Sequence, residues 1–201
     1  MSQEPLAIFS EDIFANDIMA KNVDAREYLY SHNEVIQLSS INPIVWDVED
    51  TLIEDIPDIL DKGDRVVSKV IMESIMAWDP YGLIFMPAAL KSERGLSEAR
   101  YLMCVNNIID VMDEDESIVY WRDRSDYDLP DELVVRELYI SESKYNLIPE
   151  CKRHVFRVKG ADDKIFFSTE LVNKVWDIAV RAGCRDLVQE AFHFHEETPG
   201  Y

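Results

Sequence analysis

Two stretches of the chain, 100 residues apart, are built to one pattern. Residues 65–85 (RVVSKVIMESIMAWDPYGLIF) and 165–188 (IFFSTELVNKVWDIAVRAGCRDLV) each run from an apolar β-type segment to a serine, Ser68 or Ser168. Apolar residues at helical spacing come next. Ile71, Met72, Ile75, Met76 and Trp78 stand in the same phase as Leu171, Val172, Val175, Trp176 and Ile178, and each stretch then reaches a glycine, Gly82 or Gly183, and a further apolar run. A serine side chain caps free N–H groups at a helix start and glycine tolerates the left-handed turn at a helix end, so each stretch is predicted as strand, Ser cap, helix, Gly stop, strand. Glu170 favours the second helix start, whereas Lys69 opposes the helix dipole in the first. Trp78 and Trp176 fall on the buried stripes and are predicted to be core. Between the two β-α-β units, residues 99–109, 117–121, 132–141 and 154–160 read as strands, the last with Val155, Arg157 and Lys159 on one face and Phe156 and Val158 on the other. Strands that do not alternate regularly with helices predict an α+β fold with mixed or antiparallel strands, not a doubly wound parallel sheet.

The residues before the first unit look different. Acids outnumber bases fifteen to four over 1–65, fourteen to six over 66–135 and eleven to ten over 136–201, so nearly all of the net charge of -20 sits in the first two thirds. Residues 44–64, IVWDVEDTLIEDIPDILDKGD, are densest in acids. There Val45, Val48, Leu52, Ile56 and Ile59 recur at helical spacing with Asp47, Asp50, Glu54, Asp58 and Asp61 between them, which predicts an acidic helix kinked or restarted at Pro57. Residues 1–64 are accordingly read as an acidic, mainly helical region that packs as one unit with an α+β domain over 65–201. Self-repulsion at this charge opposes compaction and is retained for a purpose such as solubility or a basic partner. Candidate contacts for such a partner are Asp47, Asp50, Glu54 and Asp58, the run Asp113, Glu114, Asp115, Glu116, and two tryptophans with acidic neighbours, Trp46 and Trp121.

Several classes of function are disfavoured. Nucleic-acid binding needs clustered Lys and Arg, which this balance denies. The start, MSQEPLAIFSED, has neither a basic n-region nor an apolar h-region, and no apolar stretch reaches the ~18 residues of a membrane span, which predicts a cytoplasmic protein without a membrane partner. Cys104, Cys151 and Cys184 lack paired metal-type spacing and read as reduced thiols. There is no Gly-x-Ser-x-Gly elbow and no phosphate-binding glycine loop, so neither catalytic residues nor a cofactor are expected. His193 and His195, followed by Glu196 and Glu197, could contribute to a divalent metal site, but a third firm ligand is missing and no metal is expected. Asp113 to Glu116 lack the glycine and distal Glu of a calcium loop and read as a solvated turn.

In their order along the chain, VVS (66–68) with its helix, LIFMP (83–87), YLMCVNNIIDVMDEDES (101–117), LYISES (138–143), and HVFRVKG with KIFFSTEL (154–171) resemble an immunity family of bacterial polymorphic toxin systems, the eleventh in their numbering. The family's middle run carries a spaced Asp pair and a Ser, matched here by Asp110, Asp113 and Ser117. The resemblance covers residues 60–192. It departs at AGCRDLVQEAF, where the family's second glycine is lost and the register of the last strand is left open. The resemblance implies an α+β protein that neutralises a cognate toxin without catalysis of its own. Together with the charge it points to a basic toxin, a nuclease first of all. The alternatives are a metal-dependent enzyme built on His193 and His195, and an acidic mimic of DNA.

Overall fold

The computed structural model describes residues 6–12, 18, 20–24, 41–48, 56–61, 65–92, 97–125, 131–192 and 194. Their strands, in chain order, are β1 (Leu6–Glu11), β2 (Ala20–Asn22), β3 (Ile44–Val48), β4 (Ile59–Leu60), β5 (Val66–Val67), β6 (Leu83–Ser92), β7 (Ser97–Val105), β8 (Ile108–Ile109), β9 (Ile118–Arg122), β10 (Glu132–Glu137), β11 (Val155–Val158), β12 (Ala161–Ser168) and β13 (Leu187–Phe192). The helices are α1 (Lys69–Met76), α2 (Glu142–Asn146) and α3 (Thr169–Ala182). The fold is α+β, dominated by mixed sheets: a six-stranded sheet in the order β2-β3-β6-β7-β5-β4, a five-stranded sheet in the order β13-β1-β12-β11-β8, and a two-stranded ribbon of β9 and β10.

Both serine caps form. Ser68 Oγ accepts the Ile71 N–H at 3.5 Å and Ser168 Oγ accepts the Leu171 N–H at 3.4 Å. Each β-α-β unit is split by a third strand: β5 and β6 both pair antiparallel with β7 between them, and β12 and β13 both pair antiparallel with β1 between them. The helices pack against each other over one shared core, to which α1 brings Ile71 and Ile75, α3 brings Leu171, Val172, Val175 and Ala179, and the sheets bring Val67, Met103, Phe9 and Phe167. Trp78 and Trp176 pack on this core half-buried. The units differ at their ends. Gly183 closes α3 in the left-handed conformation (φ 79°), as the sequence predicts. Gly82 does not close α1, which stops at Ala77 before Asp79 (φ 45°) and Pro80. Gly82 (φ 70°) instead lets β6 start beside Asn107, whose backbone nitrogen would lie 3.0 Å from any added Cβ.

Among the described residues of the first 64 the regular elements are the strands β1 to β4, and β1 is the middle strand of the second unit. Over Ile44–Val48 the chain alternates, with Ile44, Trp46 and Val48 buried and Asp47 exposed; the buried residues follow period two, and the pairing offered by β2 and β6 overrides the helical spacing. Glu11 and Asp61 exchange backbone-to-carboxylate bonds at 3.2 Å each, and Arg65 donates to the Phe9 carbonyl at 2.9 Å and to Asp61 at 3.3 Å, tying β1 to the six-stranded sheet. Burial holds the Arg65 pKa below its usual value, against the pull of Asp61.

The segment read as one strand over 99–109 is two. At buried Asn107 the chain crosses between the sheets, its side-chain amide donating to the carbonyls of Lys152 (2.8 Å) and Val155 (2.7 Å). The far face of the five-stranded sheet is also covered. Leu6, Phe156, Val158, Ala161 and Phe166 meet Val111, Ile140 and Tyr145 there, so β11 and β12 alternate between two cores. The last strand has a definite register, running from Leu6 opposite Phe192 to Glu11 opposite Leu187.

Candidate functional site

The chain from Asp110 to Ser117 is stitched to residues 138–141. Met112 bridges Ile140, the Asp113 N–H donates to the Tyr139 carbonyl at 2.9 Å, and the Ser141 N–H donates to the Val111 carbonyl at 2.9 Å. Ser117 clasps Tyr139 from both sides, accepting its N–H at 3.0 Å and donating to its carbonyl at 3.3 Å. The acidic run between these ties is a turn organised by its first member. Asp113 Oδ1 accepts the N–H groups of Asp115 (3.2 Å) and Glu116 (3.3 Å), and the Asp113 carbonyl accepts that of Ser117 (2.9 Å). Asp110 pairs with Lys159 at 2.9 Å, and this hydrogen bond, with the charges of Asp110 and Glu114, holds the lysine pKa above its usual value. The three residues that carry the family resemblance in this run, Asp110, Asp113 and Ser117, therefore shape the root of the two-stranded ribbon, while Glu114, Asp115 and Glu116 face solvent.

Along the ribbon itself, all five residues of β9, IVYWR, are exposed, Ile118 at 45%, Tyr120 at 49% and Trp121 at 67%. β10 pairs with it antiparallel, Leu133 opposite Trp121 and Val135 opposite Val119, and lies closer to the body: its apolar residues are half-buried, Val135 packs on the core beside β11, and Leu133 lies against Gly160. At the far end of β9, Asp123 Oδ1 accepts the Ser125 N–H at 2.8 Å, and bonds from the Ser125 hydroxyl and this N–H hold the Asp123 carboxyl below the usual carboxylate range. Four exposed apolar residues in succession, with the acids Glu116 and Asp123 beyond the flanking Ser117 and Arg122, have the composition of a contact surface.

The sequence candidates divide accordingly. Asp113, Glu114, Asp115, Glu116 and Trp121 come together at the root and along the ribbon. Trp46 does not join them. It is 2% exposed, packed among Ile44, Ile56, Leu60 and Leu90, and is a core residue unavailable as an anchor. Asp47 is exposed on β3, but its neighbours across the strands are Lys21 and Lys91, so cationic residues flank it. Asp58 is half-buried and serves the fold: its carboxylate accepts the Arg185 N–H at 3.1 Å and faces Cys184, whose thiol is pushed up to about 12 by burial and by the charge and hydrogen bond of Asp58. Asp50 and Glu54 lie outside the described residues, as do His193, His195, Glu196 and Glu197. Among the described residues, no group of three or more His, Cys, Asp or Glu could hold a metal ion. No helix there is long and apolar enough to cross a membrane. Ile118, Val119 and Tyr120 are not among the candidates that the sequence marks; their signal is a strand of four apolar residues without polar alternation, which reads equally well as buried.

A search of curated proteins finds no match to the chain. The model of the immunity protein family Imm11 matches residues 21–190, a span that holds both helices of the split units, the acidic turn and the ribbon. Members of such families bind a cognate toxin and are generally not enzymes. With this match over most of its length, the chain belongs to the Imm11 immunity protein family.

Proposed function

We propose that the chain neutralises its cognate toxin by binding it with the ribbon and the adjoining acidic turn, that the toxin is a basic protein, a nuclease first of all, and that this chain performs no catalysis and acts in the cytoplasm of the toxin-producing cell. The observation that carries the reading is Trp121, 67% exposed on a strand whose other apolar residues are exposed with it. Large aromatic side chains in water at the centre of an apolar patch are the usual hot spots of protein interfaces. The charge of -20 supports a basic partner, because a one-signed field raises the rate of encounter with an oppositely charged protein. Enzymes that act on nucleic acid carry the Lys and Arg that phosphate contacts require.

The test is an association-rate measurement across a salt series with the purified cognate toxin. Reversal of Glu114, Asp115 and Glu116 to Lys, leaving Asp113 to cap its turn, is expected to slow association and flatten its dependence on ionic strength. An association rate indifferent to both the reversals and the salt refutes steering by this turn.

A further inference from the structure

We infer that the toxin docks by laying an extended segment of its own along the free edge of β9, making a three-stranded sheet of the ribbon, with Lys or Arg in that segment where it passes Glu114, Asp115 and Glu116. This rests on the ribbon being the toxin-binding surface and specifies how it binds. Among the described residues β9 pairs only with β10, and β10 lies on the side toward the body, so the outer edge of β9 offers backbone N–H and C=O groups to a partner. Side chains alternate along a strand: Ile118 and Tyr120 share one face of the ribbon, Val119 and Trp121 the other, and all four are exposed. A partner resting on either face would leave the other pair in water. A strand along the edge projects side chains above and below and reaches both pairs.

Among the described residues the edge also carries little protection beyond the bulge between Val135 and Glu137 in β10. β9 contains neither Lys nor Pro, the residues that commonly blunt exposed edges, and its one charge is the terminal Arg122. A two-stranded ribbon is marginal in water and gains from a third strand. Charge selects the occupant: Glu114, Asp115 and Glu116 stand exposed where β9 begins, and a second copy of this chain would bring its own charge of -20 to the pairing.

Residue-resolved amide hydrogen exchange, measured by NMR on the full chain alone and bound to the catalytically inactivated cognate toxin, tests this. In the free chain the amides of Ile118–Trp121 that point away from β10 are expected to exchange fast; in the complex they are expected to slow by at least about tenfold. Trp121→Ala, whose folding is checked by circular dichroism, is expected to raise Kd about 30-fold. Outward amides that stay fast while Trp121→Ala still weakens binding overturn strand addition and leave the ribbon as the site. A Kd unmoved by Trp121→Ala, with β9 exchange unchanged by the toxin, overturns the site itself. Concentration-dependent slowing of the same amides without toxin, with a dimer in sedimentation, makes a second copy the occupant and overturns the inference.

Discussion

Ile44–Val48 and Ile118–Arg122 open alike in sequence, IVWDV and IVYWR, each with two β-branched residues before an aromatic one, and they end in opposite surroundings. β3 lies between β2 and β6, buries Ile44, Trp46 and Val48 on one face and turns Asp47 outward between lysines. Among the described residues β9 has one neighbour, and every one of its own residues is exposed. Side-chain composition cannot account for the difference. The number of neighbouring strands does, since a strand is buried by what flanks and covers it and not by its own hydrophobicity. An apolar strand that the fold leaves uncovered is one on which a partner can act.

The most direct way to break this comparison is to truncate the two tryptophans in turn. Trp46→Ala removes a fully packed indole and should cost roughly 3–5 kcal/mol of stability, whereas Trp121→Ala should stay within about 0.5 kcal/mol because its ring is mostly in water. Denaturant titration of both variants checks this. Equal losses would mean that Trp121 is packed after all and that the ribbon is part of the core.

A smaller effect tests whether the ribbon is anchored at its root. Ser117→Ala removes both clasps on Tyr139 and leaves its N–H without that acceptor. The expected loss is about 1 kcal/mol, which lowers Tm by roughly 2–4 °C in a chain of this size. Amide exchange in Ile118–Arg122 should quicken before that in the six-stranded sheet, where β3 keeps its two neighbours. Uniform quickening would show that the root belongs to the global fold and does not hold the ribbon in particular.

The units built on Ser68 and Ser168 were legible because a serine cap and a helical apolar stripe are local signals, each written in about ten residues. The insertion of β1 between β12 and β13 was not, because pairing residues 6–11 with residues beyond 160 leaves no mark in either segment. Over 44–60 the apolar positions fit both periods; the β-branched Ile44, Val45 and Val48 favour the strand, and the helical spacing of Val48, Ile56 and Ile59 is no evidence against it. At the site, Trp121 and the acidic turn were legible from composition, and Trp46 was indistinguishable from them, since both tryptophans have acids close by. What separates the two is strand order, a property of the whole chain.

The smallest expected effect concerns how each strand handles its acid. Asp47 on β3 stands between Lys21 and Lys91, whereas Asp123, just past β9, is stabilised by its own turn, first by the Ser125 hydroxyl and then by the Ser125 N–H. A carboxyl whose folded pKa is depressed adds stability that is present above its unfolded pKa and is lost as pH falls through the folded value. Asp123 therefore keeps its charge further into acid than an ordinary aspartate, and with it any attraction for a cationic partner at that end of the ribbon. Ser125→Ala deletes the stronger donor and keeps the backbone one, so the Asp123 midpoint should rise without reaching the ordinary value. Titration followed by the carboxyl carbon resonance of Asp123 measures the shift. Because the group is exposed, global stability should hardly respond. A midpoint indifferent to Ser125→Ala would mean that the turn closing β9 is not formed in solution.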